Sequence, residues 1–79
     1  MKNHNITVYS TTTCHFCVLA KDYFNENKIS FINKDVGSDK TARDEMVKKS
    51  GQLGVPVIEI DGQIVVGFDE DLIENLLNK

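Results

Sequence analysis

Two cysteines stand three residues apart in the segment Cys14-His15-Phe16-Cys17, and the 79-residue chain has no others. Sulfurs at this spacing can form and break a disulfide if the segment opens a helix. Residues three apart on a helix share a face, with β-carbons about 5–6 Å apart. A modest local adjustment then brings the sulfurs to bonding distance. The two thiols are not equivalent. Cys14 falls at the helix start, where free backbone N–H groups and the helix dipole favour a thiolate. Cys17 lies one turn in, so its sulfur is expected to be more buried. Cys14 is therefore the attacking thiol, and Cys17 resolves the mixed disulfide that results. A purely structural disulfide is disfavoured, because so small a loop stabilises little and a reducing compartment keeps it open. Zinc usually takes four protein ligands. The spacing of Cys14, Cys17, His4 and His15 does not group them, so no metal site is expected.

A helix start after a strand is what this chemistry requires, and the flanking sequence supplies it. Ile6 to Tyr9 is a short apolar, β-prone run, followed by the polar loop Ser10 to Thr13. From His15 to about Asn27, Phe16, Leu19, Ala20, Tyr23 and Phe24 recur at helical spacing. Ile29 to Val36 reads as a second strand with Phe31 and Ile32 central. Ser38 can cap a second helix running to about Ser50, with Ala42, Met46 and Val47 as its apolar stripe and Gly51 as its C-cap. That helix is polar enough to cover a face rather than fill a core. Val57 to Ile60 and Ile64 to Val66 flank Asp61-Gly62, a strong hairpin signal. A third helix spans about Asp69 to Asn78, with Leu72, Ile73, Leu76 and Leu77 on one apolar face.

The expected order is thus β-α-β-α-β-β-α in one domain, residues 1–79, of α/β class. The first β-α-β should be a right-handed parallel crossover. The strands read apolar rather than alternating, so helices must cover both faces of a four-stranded mixed sheet.

Composition limits the remaining possibilities. The net charge is −3 with both signs scattered, so the basic patch needed for nucleic-acid binding is missing. Lys48-Lys49 reads as a solvated helix face. No apolar run approaches the roughly 18 residues that span a bilayer. The polar Met1–Asn5 stretch does not read as a signal peptide. A cytoplasmic monomer is the expectation.

The segments TVYSTTTCHFCVLAKDYF, GVPVIEIDG and VVGFDEDL resemble the glutaredoxin family of the thioredoxin fold, including the glutaredoxin-like redoxins that serve ribonucleotide reductase. The resemblance runs from Ile6 to Leu77. It implies that Pro56, the only proline, follows a cis peptide and faces the active cysteines. The backbone of Val55 would then offer an edge where an extended peptide or glutathione can pair. The departures concern glutathione. His15-Phe16 replaces the family's common Pro-Tyr. Thr11 and Leu53 occupy positions that often carry a cation for the glutathione carboxylates, which leaves Lys21 and backbone N–H groups as candidates. The usual Gly-Gly-x-Asp-Asp reads Gly67-Phe68-Asp69-Glu70-Asp71. Glu70 and Asp71 could meet the glutathione amine, although acids also suit a helix N-terminus. A protonated His15 would help a Cys14 thiolate, while the helix N-terminus disfavours a cation there, and the balance is left open.

The resemblance therefore implies a dithiol oxidoreductase acting on protein disulfides or glutathione mixed disulfides. No cofactor is expected to be bound permanently, and glutathione would be a co-substrate. Its contact set would be Thr11, His15, Phe16, Val55, Pro56, Gly67, Phe68, Glu70 and Asp71. A redoxin reduced by thioredoxin reductase is the alternative within the enzyme class. A carrier of iron–sulfur or metal through Cys14 is the alternative outside it.

Overall fold

A computed structural model describes residues 4–78. The elements run β1 (Ile6–Ser10), α1 (His15–Glu26), β2 (Ile32–Asp35), α2 (Lys40–Ser50), β3 (Val57–Ile60), β4 (Gln63–Val66) and α3 (Glu70–Leu77). The four strands form one sheet in the order β2-β1-β3-β4. The pair β1–β2 is parallel, while β1–β3 and β3–β4 are antiparallel.

Both faces of the sheet are covered, but by alternation along each strand. Ile6, Val8, Ile58, Ile60 and Val65 meet Ala20 and Phe24 of α1 and Ile73 of α3. On the opposite face Tyr9 and Val57 meet Ala42 and Met46 of α2. A period of two sends successive residues to opposite faces, so β1, β3 and β4 each serve two small cores.

The second strand differs most from expectation. It begins at Ile32 rather than Ile29, lies at the sheet edge, and leaves Ile32 61 % exposed. The preceding residues are used to close α1. Lys28 adopts a left-handed conformation (φ 57°), its N–H donates to Asn25 O, and Ile29 N–H donates to Phe24 O at 2.8 Å. This is the Schellman arrangement, with lysine where glycine is usual. Ile29 and Phe31 then pack on the core.

Two helix starts also move by one residue. Asp39, not Ser38, caps α2 by accepting from Ala42 N–H. Asp69 caps α3 from outside the helix by accepting from Leu72 N–H. Leu72 is exposed at the first turn of α3, so the apolar face of that helix reduces to Ile73, Leu76 and Leu77. Gly51 ends α2 with φ 76°, as its type suggests. The Asp61-Gly62 turn has both residues at positive φ, 50° and 90°.

Two polar clasps hold the layers together. The Tyr9 hydroxyl donates to Glu45 Oε1 at 2.5 Å, and Lys34 Nζ donates to the same oxygen at 2.8 Å. Lys49 reaches from α2 to Glu59 on β3 at 2.8 Å. At the far end of the sheet the His4 ring bridges Asp61 Oδ2 (2.5 Å) and Leu77 O (2.9 Å). His4 thus stands before β1 and Cys14 after it, which separates two of the groups considered as metal ligands.

Candidate active site

Strand register assembles the site. Tyr9 lies opposite Val57, and Val57 opposite Val66. Residues following Tyr9, preceding Val57 and following Val66 therefore emerge at one end of the sheet. These are the Thr11–Thr13 loop leading to Cys14, the Val55-Pro56 step, and Gly67-Phe68. The Val55–Pro56 peptide is cis, and Gly67 N–H donates to Pro56 O at 2.8 Å. Gly67 has φ 82°, a conformation that lets the chain turn there toward α3. Val55 is half-buried, and its backbone N–H and C=O make no backbone hydrogen bond among the described residues.

Cys14 is the N-cap of α1, which begins at His15. Its Sγ accepts the Cys17 backbone N–H at 3.1 Å, in the way a serine or aspartate oxygen would. Cys14 is partly exposed, Cys17 is fully buried, and both are free thiols. Burial pushes the Cys17 thiol up to about 11, helped by its hydrogen bond to Cys14. The backbone of Thr11 and the charge of Lys21 oppose that rise. At neutral pH one sulfur is open to attack a substrate while the other is held as a thiol behind it.

The remaining positions distribute unevenly. Phe16 is 58 % exposed, with His15 meeting its ring edge at 5.6 Å. The His15 side chain makes no hydrogen bond among the described residues. Leu53 is 68 % exposed in the loop before the cis step. The side chain of Gln52 shapes that loop, bonding both Gly54 N–H and Gly54 O. Phe68 is half-buried against Tyr23 at 6.0 Å. Glu70 and Asp71 are exposed in the first turn of α3. The influence of the Thr11 backbone on Cys17 has no sign in the sequence, because a backbone group across a loop leaves no residue-type signal. No three His, Cys, Asp or Glu side chains among the described residues are grouped to hold a metal ion.

The glutaredoxin family model matches residues 6–65. The chain belongs to the glutaredoxin family. This glutaredoxin is 45 % identical over 74 residues to a glutaredoxin-like 8.6 kDa protein of the rubredoxin operon of Clostridium pasteurianum, covering 94 % of this chain and 99 % of the relative. It is 35 % identical over 66 residues to glutaredoxin 3 of Escherichia coli K12, covering 84 % and 80 %. A single-residue variant of the thioredoxin-like protein BC3987 superposes with a TM-score of 0.89 at 32 % identity, covering 99 % of this chain and 97 % of that one. The four-stranded mixed sheet with three helices is the thioredoxin-like fold of these neighbours. Membership of the family makes the chain a thiol–disulfide oxidoreductase, with Cys14 and Cys17 as its adjacent sulfurs. No helix is long and apolar enough to cross a membrane among the described residues.

Proposed function

We propose that this glutaredoxin is a dithiol reductase of protein disulfides, with glutathione mixed disulfides as a second substrate. The observation that carries the reading is the contrast between a partly exposed Cys14 sulfur that accepts the Cys17 backbone N–H and a fully buried Cys17 sulfur one turn behind it. Cys14 attacks a substrate disulfide and forms a mixed disulfide, and the first substrate sulfur leaves. Cys17 then attacks Cys14 Sγ, releasing the second substrate sulfur and closing the Cys14–Cys17 disulfide. The edge at Val55-Pro56 pairs with an extended substrate segment, and exposed Phe16 and Leu53 offer that segment apolar contact. Glutathione serves as co-substrate, with Glu70 and Asp71 toward its amine.

Reduction by thioredoxin reductase is the second reading, and Thr11 and Leu53 favour it. Both stand where a cation would hold glutathione carboxylates. One coupled assay tests both readings: NADPH consumption with glutathione and glutathione reductase, run beside thioredoxin reductase. Turnover of a protein disulfide is expected in at least one arm, with a high glutathione requirement in the first. Absence of turnover in both arms would overturn the proposal.

A further inference from the structure

Cys17 must become a thiolate to close the disulfide, yet it is the most hidden of the reacting groups. Its sulfur is fully buried one turn inside α1, and its backbone N–H is donated to Cys14 Sγ. Two groups favour its ionised form. One is the Thr11 backbone in the loop before Cys14, which opposes the rise that burial causes. The other is Lys21, four residues along α1 and therefore on the same helical face, one turn away.

Lys21 is not committed to any partner within the fold. It is half-buried, yet it makes no ion pair and no side-chain hydrogen bond among the described residues. The contrast with α2 and β2 is direct: Lys34 is held by Glu45, and Lys49 by Glu59. An ammonium kept partly out of water without a carboxylate beside it retains its field for whatever anion forms nearby.

We propose that Lys21 is a positioning residue for the resolving step, its ammonium stabilising the Cys17 thiolate as that sulfur attacks the mixed disulfide on Cys14. The inference rests on the dithiol reading above. The step balances without an added reagent. Cys17 gives up its proton, the Cys17–Cys14 sulfur bond forms, the bond from Cys14 to the substrate sulfur breaks, and the departing thiolate takes up a proton. The two cysteines are oxidised by two electrons over the cycle while the substrate disulfide is reduced.

The test uses the full chain and the neutral disulfide 2,2′-dithiodipyridine, which carries no carboxylate for Lys21 to bind. Stopped-flow absorbance follows thiopyridone release in two phases, first from attack by Cys14 and then from resolution by Cys17. Removing the charge in Lys21→Met should lower the Cys17 thiolate fraction about tenfold, for a cation one turn away at an effective dielectric of about 20–40. The more basic thiolate is a better nucleophile, which recovers about a factor of three. The second phase should therefore slow about threefold at each pH from 6 to 9, with the first phase unchanged. Lys21→Arg should restore it. An unchanged second phase in Lys21→Met, equal slowing of both phases, or failure of arginine to restore the rate would each overturn the role of Lys21 alone. A wild type that releases only one equivalent would overturn the dithiol reading as well.

Discussion

Glu45 offers a quantitative check on how α2 is held to the sheet that carries the active-site loop. Its carboxylate accepts from the Tyr9 hydroxyl at 2.5 Å and from Lys34 Nζ at 2.8 Å, with Lys49 Nζ at 3.8 Å. The hydrogen bonds from Lys34 and Tyr9 pull it from an ordinary 4.5 to about 2. Taken at face value, that difference corresponds to about 3 kcal/mol at 1.36 kcal/mol per pH unit. The Glu45 side chain is 35 % exposed, so water screens the pair and about 1–2 kcal/mol is the better figure. A carboxylate whose folded value is depressed contributes fully above its unfolded value near 4.5, and the contribution is lost as pH falls toward 2. Glu45→Gln keeps an acceptor for Tyr9 and removes the charge. Urea unfolding followed by far-UV circular dichroism should show the variant about 1–2 kcal/mol less stable at pH 7. The gap should narrow steadily from pH 4.5 to pH 2.5. Taking the difference between the two proteins cancels the other carboxylates they share. A gap that persists undiminished at pH 2.5, or one absent at pH 7, would refute the reasoning.

Other outcomes test the site and the helix ends. Cys14→Ser should abolish all thiol exchange. Cys17→Ser should accumulate mixed disulfides, visible by mass spectrometry, while retaining exchange that needs one thiol. If Cys17→Ser were the more damaging in every assay, the roles would be reversed. Thr11→Lys should supply a cation for a glutathione carboxylate; a charge-assisted hydrogen bond contributes about 1.5–3 kcal/mol, so half-saturation should fall roughly ten- to a hundredfold. Lys28→Gly removes the side chain from a left-handed position and should raise stability by about 0.5–1 kcal/mol in thermal unfolding. A loss there would mean that the lysine side chain makes a contact worth more than the conformational relief.

Much of this glutaredoxin was legible from its residues because the deciding physics is local. Asp61-Gly62 turns the hairpin wherever its strands lie, since both positions tolerate positive φ. Gly51 ends α2 for the same reason. Cys14 and Cys17 are brought together by helical spacing alone, and their unequal burial follows from one sitting at the cap and the other a turn inside. What depended on neighbours distant in sequence was not legible. Ile32 looks like a core residue until β2 is placed at the sheet edge, where nothing covers its outward side. Lys28 carries no sign of a left-handed cap, because lysine is a poor choice there and the packing of Ile29 on the core maintains it. The family resemblance, and not the residues' own periodicity, grouped Thr11, Val55-Pro56 and Gly67 with Cys14; the register of β1, β3 and β4 is what brings them to one end of the sheet. Local propensity determines which segments are helix or strand, but burial and proximity are properties of the packed sheet, and only tertiary structure decides them.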